Sequence, residues 1–289
     1  MKLLALGLGY SAQAALRRLM PDAAVGTTRS AGKAAALASL ADMRLFDGSW
    51  ESAEALKPAL TGVTHVLVSI APAEGADGGD RVLPVLAEAL AAESPASIAY
   101  LSTVGVYGDH DGAWVDEESE CRPRSARSVA RVRAEREWLD FGARSGVPVA
   151  VLRLSGIYGP GRNAFVNLAD GSARRLVKPG QVFNRIHVED IAAAAERVFA
   201  TGASGLFNIT DDEPAPPQDI VAYAAGLMGV PPPPEQDFAT ADLSPMARSF
   251  YGENKRVANG KSKSVLGLAY AYPDYRTAFA RMWAEASWR

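Results

Sequence analysis

Short apolar runs alternate along this chain with stretches in which apolar residues recur at helical spacing. Lys2–Gly7 is one such run, too brief for a helix and leading straight into glycines, which predicts a buried parallel strand. Ala12, Ala15, Leu16 and Leu19 then recur at helical spacing until Pro21 ends the segment. Further strands are predicted at Ala23–Thr27, Met43–Phe46, Thr64–Ala71 and Ser97–Thr103, separated by helices at Ala31–Leu40, Glu51–Leu60 and Arg81–Ala92. Such alternation makes a mostly parallel sheet with helices on both faces, an α/β doubly wound architecture. Beyond it, Arg124–Ala143 is a long helix, Gly205–Thr210 a late strand and Gln218–Gly229 another helix. Four prolines at Pro231–Pro234 form a stiff connector to a tail rich in Tyr, Trp and Phe.

The first strand–turn–helix–strand unit carries chemistry. Gly7, Gly9 and Ala12 make a Gly-x-Gly-x-x-Ala turn in the context that a dinucleotide fingerprint requires. Gly7 permits the tight turn, Gly9 lets the backbone approach a pyrophosphate, and Ala12 lets the helix lie close on the strand. The helix N-terminus at Tyr10 and Ser11 offers unpaired N–H groups and partial positive charge to the phosphates.

Ligands in such sheets lie outside the carboxyl ends of the strands. After the second strand stand Thr28, Arg29 and Ser30. A carboxylate there would receive ribose hydroxyls and repel a 2′-phosphate, whereas arginine pairs bidentately with phosphate. NADP is therefore expected in preference to NAD. Asp47, after the third strand, suits the adenine amino group or a cap on the following helix. Ser69, Ala71 and Pro72, after the fourth, are small enough to let a cofactor lie against the backbone, and Glu74–Asp80 reads as a mobile loop beside them.

Three later motifs complete a pattern: Ser102-Thr103-Val104-Gly105-Val106-Tyr107-Gly108, Arg153-Leu154-Ser155-Gly156-Ile157-Tyr158-Gly159-Pro160, and Ile186-His187-Val188-Glu189-Asp190. With the glycine turn they resemble the extended short-chain dehydrogenase/reductases, which include nucleotide-sugar epimerases and dehydratases. The resemblance runs from Lys2 to about Leu268. It implies a Rossmann-like dinucleotide domain over residues 1–160, its sheet completed by about 181–210. A small C-terminal substrate cap is expected from 161–180 and 211–289.

The family's chemistry uses a Ser/Thr, a Tyr as acid/base, and a Lys four residues after the Tyr. Thr103 matches the Ser/Thr, with Ser102 beside it. The long helix contains neither Tyr nor Lys; matching Ala134-Glu135 to the family's Ala-Glu pair puts Arg131 at the lysine position and Arg127 at the tyrosine position. An arginine side chain has a pKa above about 12, so deprotonating one near neutrality costs on the order of 7 kcal/mol. Three readings follow. Tyr107, with Tyr158 next, moves the proton; or the arginines supply only fixed charge and water carries the proton; or the protein binds NADP without turnover, as a sensor. Asp190 is expected to cap a helix beginning near Ile191, with His187 in a structural role. Arg162, Arg174, Arg175, Lys178 and Arg185, with Asn163 and Asn167, make an anionic substrate plausible.

Composition narrows the partners. A net charge of -3 over 289 residues gives no basic footprint for nucleic acid, and Cys121, the only cysteine, excludes an internal disulfide or a thiolate zinc cluster. No metal is expected. No apolar run approaches the ~20 residues that span a bilayer. The opening MKLLALGL is interrupted by glycines before any cleavage-like end, so a cytoplasmic setting fits. The partner expected is a small-molecule substrate. Family members pair through helices on the sheet flank, which leaves a homodimer open.

Overall fold

β1 (Lys2–Leu6) is central because its apolar residues are shielded on both faces. The computed structural model describes residues 1–75 and 78–289. From β1 the chain runs through α1 (Tyr10–Leu19), β2 (Ala23–Thr28), α2 (Ala31–Leu37), β3 (Asp42–Leu45), α3 (Trp50–Leu60) and β4 (His65–Val68). It continues through α4 (Leu83–Glu93), β5 (Ser97–Thr103), a 3₁₀ turn at Val104–Tyr107, β6 (Trp114–Val115), α5 (Ala126–Ser145) and β7 (Val149–Leu154). Next come β8 (Gly156–Tyr158), α6 (Ala164–Ala169), β9 (Arg175–Val177), β10 (Arg185–His187), α7 (Val188–Thr201) and β11 (Gly205–Ile209). The chain closes with α8 (Pro217–Met228), β12 (Glu235–Asp237), α9 (Pro245–Phe250), β13 (Arg256–Val257), α10 (Gly260–Leu266) and α11 (Tyr275–Ala284).

Seven strands form one parallel sheet in the order β11-β7-β5-β4-β1-β2-β3. This is the doubly wound sheet that the alternating pattern predicts. The order reverses beside β1, so the crevice between the ends of β1 and β4 is the topological switch point. Side chains on β1 alternate between two cores. Leu3 and Ala5 pack with Leu16 of α1 and Ile191 and Val198 of α7. Leu4 and Leu6 pack with Leu56 of α3, Leu86 of α4 and Trp138 of α5.

A third apolar cluster lies beyond the sheet, where Phe165 of α6, Ile220 of α8 and Tyr275, Phe279 and Met282 of α11 meet Tyr158 and Trp288. It is tied down by short parallel pairs, β8 with β10 and β9 with β12. Part of the tail belongs elsewhere, since Leu266 and Leu268 join the core of the sheet.

Some local expectations shift. α4 begins at Leu83 because Asp80 is buried and accepts from the Val82 and Leu83 amides (both 2.8 Å) and from Trp138 Nε1 (2.8 Å). Asp80 is thus an anchor at the end of the supposed mobile loop, of which residues 76 and 77 lie outside the described residues. α7 begins three residues earlier than Ile191, and His187 caps it by accepting from the Glu189 amide (3.3 Å). Asp190 therefore falls inside the helix and holds the tail instead, accepting from the Ala271 (2.8 Å) and Tyr272 (3.0 Å) amides.

The joint between sheet and cap buries charge. Asp211, 1% exposed, follows β11 and lies near Arg185 and Tyr158 with neither carboxylate oxygen in a hydrogen bond. Burial, opposed by Arg185, pushes its carboxyl up to about 8. The folded chain thus keeps a proton that the unfolded chain releases near pH 4, so stability falls as pH rises from about 4 to about 8. Asp211→Asn should remove this loss. Its melting temperature relative to wild type, followed by calorimetry, should climb between pH 5 and pH 8; a constant difference would contradict the assignment.

Candidate functional site

The turn after β1 is locked from two sides. Thr27 Oγ1 accepts from the Gly7 amide and Thr27 O from the Leu8 amide (both 2.8 Å), while Ser69 Oγ donates to Gly7 O. Gly7 has φ +88°, and a Cβ there would come within 3.0 Å of Ile70 Cγ1 and of Ser69 Oγ. Ser69 braces the turn with its hydroxyl. Gly9 is different: a Cβ there would meet nothing within 4 Å, so the main chain lies open to a ligand. Ser11 and Ala12 are buried behind it. Tyr10 reaches across to donate to Pro160 O (2.9 Å), joining the turn to the loop after β8. These features fit a dinucleotide diphosphate laid across the start of α1.

At the end of β2, Arg29 is exposed beside half-buried Thr28. Ser30 caps α2, accepting from the Lys33 amide (3.3 Å). Asp47 accepts from the Ser49 amide (2.9 Å) and the Ser52 hydroxyl (2.8 Å), and hydrogen bonding by Ser49, its side chain foremost, and then by Ser52 pulls its carboxyl down to about 2. Ser49, not Asp47, caps α3 by accepting from the Ser52 amide (3.2 Å), so Asp47 braces the cap without being it. Ala71 is exposed and Pro72 buried where β4 runs out.

The residues after β5 divide between surface and interior. Thr103 is half-buried, and its Oγ1 accepts from the Gly105 amide (3.1 Å). Ser102 points inward and donates to Glu135 Oε1. Glu135 pairs with Arg153 (Nη2–Oε2 2.8 Å, Nε–Oε2 3.1 Å), each side chain 4% exposed. Arg153 Nη1 donates to Tyr107 Oη (3.0 Å), which donates to Asn208 Oδ1 (2.7 Å). Asn208 Nδ2 donates on to Ala258 O (3.1 Å). Tyr107 is 0% exposed, and burial pushes its phenol up to about 12. The expectation that Tyr107 moves the proton is corrected here, since its hydroxyl is enclosed and committed within a structural network. Tyr158, the next choice, is also buried, stacked on Phe279.

The two arginines part company. Arg131 is half-buried, its Nη1 donating to Leu101 O (2.8 Å) and Tyr100 Oη (3.0 Å) at the end of β5. Arg127 is exposed, its guanidinium 5.5 Å from the Phe250 ring centre. Most cap cations serve as internal ties. Arg174 donates to Asp242 O, Arg175 pairs with Glu235, Lys178 donates to Tyr251 O, and Arg185 donates to Phe183 O and Ala215 O. Asn163 caps α6 and Arg162 remains exposed, whereas exposed Asn167 takes part through its backbone. His187 stacks on Tyr272 (3.7 Å), and burial lowers it to about 4. Among the described residues no cluster suits a metal ion, and no helix is long and apolar enough to cross a membrane.

Sequence reasoning used Glu135 only to align the helix and passed over Ser128 and Asn208. The long helix holds the clue to Ser128, because Ser125 is the cap signal and Ser128 lies one turn inside it.

A model of the NAD dependent epimerase/dehydratase family matches residues 81–210. The 3-diazoavenalumate denitrifying reductase of a Streptomyces species is 29% identical over 167 residues, 53% of this chain and 53% of that protein, so the match spans about half its length. Protein YeeZ of Escherichia coli K12 is 30% identical over 219 residues, 72% of each chain. A solved structure of a functionally unknown conserved protein from Silicibacter pomeroyi superposes with a TM-score of 0.86 at 45% identity, covering 99% of both chains.

Removing one partner of the buried pair leaves the other charge unmatched. Arg153→Ala should cost about 3–5 kcal/mol of unfolding free energy in a urea titration. A loss within error of zero would show that Glu135 does not depend on it.

Proposed function

The chain belongs to the NAD dependent epimerase/dehydratase family, and from that footing we propose that it is an NADP-dependent oxidoreductase acting on a small, polar, anionic carbonyl metabolite. The observation that carries the cofactor half is the open main chain at Gly9 with Arg29 exposed at the end of the next strand. In this reading the α1 amides hold the diphosphate. Arg29, with the Thr28 and Ser30 hydroxyls, holds a 2′-phosphate, and Asp47 meets the adenine edge. Ala71 and Pro72 border the dinucleotide where β4 ends.

When bound, the reduced dinucleotide supplies a hydride. Thr103 then orients the substrate oxygen with a hydroxyl hydrogen that its bond to Gly105 leaves free. Arg131, fixed by Leu101 and Tyr100, presents positive charge toward the oxyanion or the ribose. Likeness to a reductase supports reduction of an acceptor over epimerisation. Exposed Arg162 and Arg127 favour an anionic substrate. The absence of Tyr and Lys from α5 keeps a second reading in play, a protein that binds NADP without turning it over.

Arg29→Ala should weaken NADPH binding about tenfold or more and leave NADH binding nearly unchanged, because a charge-assisted phosphate contact is lost. Fluorescence titration measures both; equal losses would remove Arg29 from the 2′-phosphate. NADPH held by the full chain should be consumed when pooled cell metabolites are added. Tight binding without consumption would favour the silent reading.

A further inference from the structure

We propose that Ser128, supplied by Ser125, delivers the proton taken up by the substrate oxygen, an inference that rests on the reductase reading above. Four proton carriers near the ends of β5, β7 and β11 are enclosed. Tyr107 is committed to Asn208, and the Tyr158 hydroxyl, His187 Nε2 and both Asp211 oxygens are sealed from solvent. Arg127 and Arg131 carry guanidinium groups, which offer charge and hydrogen bonds and no proton for transfer. Beside Thr103, which the reading above uses to orient the substrate oxygen, stands a pair of hydroxyls.

Ser125 and Ser128 stand at the start of α5, one turn apart. Ser125 Oγ accepts from the Ser128 amide (3.1 Å) and donates to Ser128 Oγ (2.9 Å). The Ser125 hydrogen is thereby aimed at Ser128, and the Ser128 hydrogen is left to point elsewhere. Ser128 is 6% exposed while Ser125 is half-buried, so the pair runs from interior to surface. Gly105 marks where it leads. A Cβ on Gly105 would lie 3.3 Å from Ser128 Oγ and 3.3 Å from Thr103 Oγ1, so both hydroxyls border the space beside this one half-buried glycine. Thr103 also keeps its hydroxyl hydrogen, because its oxygen is the acceptor for the Gly105 amide. Arg131 lies three residues beyond Ser128 on the same helix face.

The step balances. The carbonyl carbon accepts the hydride, with its two electrons, from the reduced dinucleotide, and the C=O π pair becomes a lone pair on oxygen. That oxygen takes the Ser128 hydrogen, Ser128 Oγ takes the Ser125 hydrogen, and Ser125 recovers one from a surface water that itself takes a proton from bulk solvent. No serine alkoxide accumulates, because each oxygen gains a hydrogen as it loses one. The sum is one carbonyl, one reduced dinucleotide and one proton giving one alcohol and one oxidised dinucleotide.

The test uses the full chain with NADPH and four carbonyl probes: pyruvate, phenylglyoxylate, 4-nitrobenzaldehyde and 9,10-phenanthrenequinone. With whichever probe wild type reduces fastest, Ser128→Ala should slow single-turnover NADPH oxidation on the order of 10²-fold with an NADPH dissociation constant within about twofold of wild type. Ser128→Thr, which keeps the hydroxyl, should recover most of the rate. In mixed H₂O and D₂O the wild-type rate should bow, as for two protons moving together, and Ser125→Ala should give a straight line. A wild-type rate in Ser128→Ala, or a straight wild-type plot, would overturn the relay while leaving the reductase reading in place. If wild type reduces none of the four probes while binding NADPH, the reductase reading falls and the relay with it.

Discussion

Glu135 and Arg153 face each other almost wholly out of water. Two buried charges are tolerated only when their mutual attraction and a full set of hydrogen bonds offset the lost hydration. Here that set reaches Ser102 on β5, Tyr107 in the turn after it, and through Tyr107 to Asn208 on β11 and Ala258 in the tail. The pair therefore fixes the C-terminal ends of three neighbouring strands at once. Thr103 sits between two residues of this network. Its place at the surface follows from Ser102 and Tyr107 being held inside.

The fold was legible because its signals are local. The apolar runs, the glycine turn and the helical spacing after it each need only a dozen residues to be read, and they lead to the parallel sheet with β1 inside. Boundaries were less legible where a distant partner decides them. Asp80 starts α4 partly because Trp138 reaches it, and Asp190 faces the tail because α7 begins three residues early. Tyr107 shows the same limit at the site. Its position after β5 made it a candidate proton donor, but the arginine that encloses it lies 46 residues away in the sequence. Spacing along a chain does not tell which of two adjacent residues turns inward. Burial decides it, as Ser102 and Thr103 demonstrate.

One face of α5 is rich in arginine. α5 carries Arg127 and Arg131 on one face, and Arg131 is drawn down to the end of β5 while Arg127 stays at the surface. Such a face can hold anions and orient dipoles, and it cannot give up protons near neutrality. Proton delivery then falls to groups with no charge of their own. The hydroxyls at the head of the same helix answer that need: Ser125 donates to Ser128 (2.9 Å), and Ser128 and Thr103 both border the space beside Gly105.

All of this presumes that a pyridine dinucleotide lies on the main chain at Gly9. Isothermal titration of the full chain with NADPH, and separately with NADH, addresses that directly. One saturable site per chain is expected, with NADPH the tighter ligand. If neither nucleotide associates up to millimolar concentration, the open turn serves some other purpose and both the catalytic and the silent readings fail.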